Sequence, residues 1–440
     1  MTSSVDGLVS GLSTSSLISQ LMEVEAAPQT RLKSKVSAAE TVVKSYQAVN
    51  TKLSALKGAA DDLSQLSTWR AIKPVSNSTS VTATAVGGTN TTTGTMSFDV
   101  VQLAKGQVST ARVATSGDVT TSDSIEITIG SGDPVTIDIS ADKSAQGISD
   151  AINRAGIGVK SSVVTTGGAE NILQLTGAKT GEGNAFTVTG LEDTGLMTAV
   201  AAQDAKLQVG GPDETGGFSV VSNTNTFTGL MAGVTVTVGK VETGVTLTVD
   251  SDVSGIAGKF QALVDAANAA LDEVATQTAY DATTKKGSPL TGDFMVRQMS
   301  SAIMGTVSRG LSYTDLDGND IAFGSLSKLG IELDRTGRLT FDQAKFTAAY
   351  NADPSTIKSA GIGFADAFEE VSKAQSDNVT SAITGRNNYI DSMNSQIDNW
   401  DLRLAARREA LQKQYADLET ALGKLQSQST WLSGQIASLG

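Results

Sequence analysis

Few residues in this chain are of types that could do chemistry. It has 0 Cys and 0 His. That removes thiolate nucleophiles, disulfides, imidazole acid–base catalysis and zinc sites of the usual kind. Carboxylate and phosphate-loop chemistry remain. Asp315-Leu-Asp-Gly-Asn-Asp320 resembles the opening of a calcium loop, but an EF-hand needs Gly at its sixth position and Glu at its twelfth. Here these are Asp320 and Leu326, which makes the stretch a polar turn. Gly177-Ala-Lys-Thr-Gly-Glu-Gly183 has elements of a phosphate loop but lacks the Gly before Lys and the earlier Gly spacing. The 46 acidic residues contain no pair whose spacing marks a glycoside-cleaving dyad, and residues 76–250 hold no Trp or Tyr for a sugar cleft. The expectation is a protein that is not an enzyme, with no cofactor and no metal site.

Composition limits the partners. The net charge is −13, which argues against a nucleic-acid partner. The charge is concentrated: residues 76–250 carry 8 basic and 17 acidic residues, whereas residues 386–440 carry 6 of each. An acidic middle suits a solvated outer surface, and near-neutral amphipathic ends suit helix packing. No apolar run approaches the ~18 residues of a membrane span, so no membrane partner is expected. The opening MTSSVDGLVSGLSTSSLISQL lacks the basic n-region of a signal peptide.

The elements then come from periodicity. Ile390, Ile397, Leu404, Leu411, Leu418, Leu425, Leu432 and Leu439 form a seven-residue apolar series, accompanied by Met393, Trp400, Tyr415, Leu422 and Ile436. Such a repeat lays one stripe along an α-helix and asks for a partner helix. No proline follows Pro354, so a helix of ~50 residues, roughly 75 Å long, is permitted. Arg407 and Arg408 interrupt the stripe and are expected to limit its pairing. Residues 15–70 also read as helix. Leu17, Leu21 and Val24 hold the period, Pro28 predicts a break, and Leu32, Val36, Val43, Tyr46, Leu53 and Leu56 continue it.

Between these ends, residues 76–250 alternate in the manner of strands with one buried face. Examples are 95–103, 124–129, 135–139, 234–238 and 245–249, with one helical island at Lys143 to Ala155. Residues 255–309 return to helix, and Ile331 to Leu339 reads as a hairpin. The fold class is therefore α+β and multidomain: a helical coiled-coil stalk formed by both chain ends, with an inserted β-rich head of two small domains. The expected boundaries are an N-terminal helical segment over 1–40, flexible when unassembled, and a stalk of 41–75 plus 251–400 with a short hairpin insertion. A β head domain takes 76–112 plus 203–250. A second, inserted head domain with one helix takes 113–202, and a C-terminal amphipathic helix takes 401–440.

The motifs resemble, in order, those of the bacterial flagellar filament cap family, flagellar hook-associated protein 2. Val9-Ser-Gly-Leu-Ser-Thr-Ser-Ser-Leu-Ile-Ser-Gln-Leu-Met-Glu23 is similar to its N-terminal signature, with Ser13 where members often have Asp. Gly94 to Lys105 resembles its first head strand. Ser144 to Gly158 with Gly181 to Phe186 resembles a repeat shared by flagellins and hook proteins, and Leu329 to Pro354 resembles the family's C-terminal half. The resemblance implies a homo-oligomeric ring at the distal tip of the filament, outside the cell, holding flagellin and promoting its insertion. It implies export by the flagellar type III apparatus without a cleaved signal peptide. Partners would be flagellin, hook–filament junction proteins and an export chaperone on the C-terminal helix, and some members are linked to adhesion. The alternatives are another axial protein, such as a flagellin or junction protein, and a surface adhesin. On this reading Leu17, Leu21, Val24, Leu411, Leu418, Leu425, Trp431, Leu432 and Leu439 form the subunit and filament interface. Val43, Tyr46, Leu53, Ile390, Ile397, Trp400 and Leu404 form the seam within the chain, with Ile390–Leu404 set against Val43–Leu63.

Overall fold

The computed structural model describes residues 11, 13–86, 91–212, 215–314 and 318–437. Leu439 and Asp315-Leu-Asp317 lie outside them. In chain order, helix α1 (Thr14–Ser64) and the one-turn α2 (Leu66–Trp69) precede β1 (Ile72–Ser76), β2 (Val81–Ala85), β3 (Gly94–Gln102) and β4 (Val108–Ala114). Next come β5 (Ser124–Ile129), β6 (Val135–Asp138), α3 (Ala145–Ala155), β7 (Val159–Thr165), β8 (Glu170–Gly177), β9 (Phe186–Thr189) and β10 (Met197–Val200). Strands β11 (Ala205–Val209), β12 (Phe218–Ser222), β13 (Thr226–Thr228), β14 (Val234–Val238) and β15 (Glu242–Ser251) complete the β region. Helices α4 (Val253–Thr278), α5 (Phe294–Ser308), α6 (Gln343–Ala352) and α7 (Pro354–Ala437) follow, with short hairpins between them.

The chain divides into two units, 1–64 with 257–440 and 65–256. The first is helical and is made from both ends of the chain; the second is the β insertion. Together they make an α+β multidomain protein.

The β unit has two cores. Sheet β1-β15-β3-β11-β12 and sheet β13-β14-β2 enclose Phe98, Val100, Leu207, Val236 and Leu247. Sheet β10-β4-β8-β7 and sheet β6-β5-β9, with α3, enclose Ile125, Ile127, Ile148, Ile152, Leu173 and Leu175. Alternate residues of each strand point inward because the side-chain period is two. Strand β4 sends Ala111 and Val113 into the second core, so residues 108–112 belong there and not with the first head segment. The chain crosses between cores where Lys105 and Gln203 pair. The glycine stretch set aside as a phosphate loop lies at this crossing. Gly181 N–H donates to Lys105 O and Thr180 Oγ1 to Asn223 O. At a φ of +101°, Gly181 sits where a Cβ would lie 2.6 Å from the Cβ of Asn223, which only glycine avoids.

In the helical unit, α4 does not run on to 309 as the periodicity suggests. It stops at Thr278, and Tyr280–Asp281 pair with Lys286–Gly287 before α5 begins. Phe260, Phe341, Phe346, Phe364 and Phe368 form a continuous aromatic core, with Phe260 centred 4.7 Å from Phe346 and Phe364 4.9 Å from Phe368.

Helix α1 corrects the expected break at Pro28, because it is continuous from Thr14 to Ser64 with Pro28 inside. A mid-helix proline removes one backbone hydrogen bond, here to the carbonyl of Val24. Val24 is 74% exposed, so water can satisfy that carbonyl, and Met22 and Gln29 are anchored on either side. Neither helix is interrupted near 40 or 400.

Helices α1 and α7 pair antiparallel over most of α1. Ile390 and Met393 pack on Val36, Ala39 and Val43, and farther down Leu404, Leu411 and Tyr415 close around Ile18 and Met22. The expected register was therefore about twenty residues off: Ile390–Leu404 faces the stretch before Val43, not Val43–Leu63. Leu411 is likewise a correction. It is 7% exposed and belongs to the intrachain seam. The arginine step does not end the pairing, because Arg407 reaches Glu25 at 3.0 Å.

Candidate assembly surface

The α1–α7 seam is thin and is punctuated by polar rungs. Met22, Gln29, Val36 and Val43 repeat every seven residues on α1, with Gln29 taking an apolar position. Its buried side-chain amide donates to Ile397 O at 3.3 Å and to Asp401 Oδ1 at 2.5 Å. Higher up, Ser376 Oγ donates to Asn50 Oδ1 at 2.6 Å and Lys57 meets Glu369 at 3.0 Å. A polar group at a seam position fixes register, because any slip leaves it buried without a partner. On one side the two helices leave a groove lined by Ser19, Met22, Glu23, Gln29, Asp401 and Arg408, among others.

Tyr46 joins α1 to the start of α5. Its hydroxyl donates to Asp293, whose other oxygen caps α5 by accepting from Val296 N–H. Burial, reinforced by this carboxylate, pushes the phenol up to about 12. The unfolded chain would lose that proton near pH 10. The contribution of Tyr46 is thus complete below pH 10 and is lost as pH rises toward 12. Tyr46→Phe should cost about 1 kcal/mol at neutral pH. It should also flatten the decline of stability between pH 10 and 12, as read by denaturant titrations across that range.

The residues expected at the interface separate into two groups. Leu17 and Leu21 are half exposed and Val24 largely so, whereas their neighbours Ile18 and Met22 turn into the seam. On α7, Leu418, Leu425, Trp431 and Leu432 are exposed, as is Ile436. Of the residues expected at the seam, Val43, Tyr46, Leu53 and Ile390 are buried, Tyr46 against Asp293 at the start of α5, while Ile397, Trp400 and Leu404 are half-buried. The Trp400 ring is covered by the Arg403 guanidinium, centred 3.9 Å away. Ile18, Met22 and Gln29 were missed by the sequence reading. The seven-residue series of α1 could have found Met22 and Gln29, and Ile18 lies one turn before Met22 on the same face. Among the described residues, no three acidic side chains come close enough to hold a metal ion.

Helical ends paired across the chain, a β insertion and apolar faces left open describe a structural protein built to assemble with other subunits. The chain belongs to the flagellar hook-associated protein 2 family: that family's C-terminus matches residues 202–427 and its N-terminus matches residues 10–107. The flagellar hook-associated protein 2 of Escherichia coli K12 is 28% identical over 98% of this chain and 97% of its own. That of Campylobacter jejuni is 24% identical over 89% of this chain and 68% of its own. The crystal structure of the D1-D2-D3 domains of the Escherichia coli flagellar cap protein matches with a TM-score of 0.58 at 26% identity, covering 78% of this chain and 99% of that one. The function is that of a flagellar filament cap, and the protein's place is the flagellum.

Proposed function

We propose that this cap works as a homo-oligomeric ring at the filament tip, where it retains flagellin arriving through the filament and favours its insertion beneath the ring. The observation that carries this reading is the row of exposed apolar residues on α7 from Leu418 to Ile436. Each such residue gains about 1.5–3 kcal/mol when buried, which an isolated chain forgoes. The role is structural, without catalysis. Residues 1–40 and 401–440 would supply contacts to neighbouring cap subunits, flagellin and hook–filament junction proteins. Before export through the flagellar apparatus, an export chaperone would shield the C-terminal stripe. Electron microscopy of the purified protein, with and without flagellin filaments, tests the reading. Rings that seat at filament ends are expected; protein that decorates filament sides, or stays monomeric beside bare tips, would overturn it.

A further inference from the structure

Helix α1 keeps one apolar side along its length. About eight turns separate Leu17 from Tyr46 and Val24 from Leu53, which puts all four on that side. In the C-terminal half of α1 that side is covered: Tyr46 meets Asp293 at the start of α5, and Leu53 and Ala60 are fully buried. In the N-terminal half it is open, at Leu17, Leu21 and Val24. The lower part of the unit is thus a helix pair with its next helix missing.

A second open face lies on α7. Leu418, Leu425 and Leu432 extend the same series whose members Leu404 and Leu411 pack on Ile18 and Met22. Residues 416–437 continue this helix about 33 Å beyond Tyr415, the last α7 residue of that cluster. Within one chain the two open faces lie at different levels of a helix pair and point to different partners.

We propose that the faces cover one another between copies, the α7 end of one chain lying along Leu17, Leu21 and Val24 of a second. This rests on the assembly reading above and names its subunit contact. Two observations select a second copy as the occupant. The α7 end repeats the heptad by which α7 already recognises α1. Its length exceeds the open side of α1, which spans about 21 Å from Thr14 to Pro28.

The natural lack of cysteine makes the test clean. Full-length Leu21→Cys and Leu425→Cys chains, both altered at exposed positions, are mixed and treated with a short bismaleimide. Docking raises the local concentration of the two thiols, so the mixture should yield at least about fivefold more linked dimer than either variant alone at equal total protein. Adding Val24→Asp to the Leu21→Cys chain should abolish the gain. A Leu425→Cys chain that links to itself as readily as the mixture does, or a mixture that gives no excess dimer, would overturn the proposal. If the excess is absent while a chain lacking residues 416–440 still fails to cap, the assembly reading stands and only this contact falls.

Discussion

A chain that stops at Tyr415 should fold and melt as the full-length protein does, yet build no lasting filaments. The buried cluster at the lower end of the α1–α7 pair ends with Leu411 and Tyr415, and no hydrophobic cluster among the described residues uses a later residue of α7. The removed segment instead carries Leu418, Leu425, Trp431, Leu432 and Ile436, all exposed. Loss of exposed side chains away from special features changes stability by about 0.5 kcal/mol or less. Loss of five apolar anchors from an interface removes most of its binding, because a few such residues carry the energy. The expected picture is an unchanged melting transition, with helical circular dichroism lowered only by the helix removed, and with short or absent filaments and unassembled flagellin in the medium. Full-length filaments capped by the shortened protein would refute the assignment. Deleting 401–440 instead would be less informative, since it also strips Leu404, Leu411 and Tyr415 from Ile18 and Met22.

Phe260→Ala should cost about 3–5 kcal/mol. The ring is fully buried and lies within 6.1 Å, centre to centre, of Phe341, Phe346 and Phe364. These belong to three separate parts of the helical unit, so the cavity cannot be closed by shifting one element. The two cores of the β unit contain no residue beyond Val249. Calorimetry should therefore show a helical-unit transition lowered on the order of 10 °C, with the β-unit transition in place. Equal displacement of all transitions would show that the units do not melt separately.

The sequence made the kinds of element plain and left their partners open. Strand alternation was legible because side chains on a strand alternate strictly, and Val234–Val238 shows it residue by residue. The face of α1 was harder to read. Leu17-Ile18 and Leu21-Met22 are adjacent apolar pairs, so a helical period fits either member, and only the position of α7 selects Ile18 and Met22. Register was less visible still. It depends on Gln29 meeting Asp401, and a glutamine inside an apolar repeat reads as a gap until its partner is known. Pro28 misled for a related reason: its local cost is real, but tertiary contacts on both sides outweigh it. The glycines of 177–183 suggested a ligand where they permit a close crossing of two chain segments.

The pairing of the two chain ends also orders the events of folding. Gln29 and Asp401 are 372 positions apart, and closing so wide a loop in a flexible chain is entropically costly and slow. The β insertion shortens that loop. Once it folds, Ile72 pairs with Ser251 and Asp252 N–H donates to Ala71 O at 2.8 Å, so the chain leaves the insertion beside the point where it entered. Strands of the middle thus act as a splint for helices of the ends. Helix α1 is synthesised long before α7, and its seam cannot close until α7 has followed.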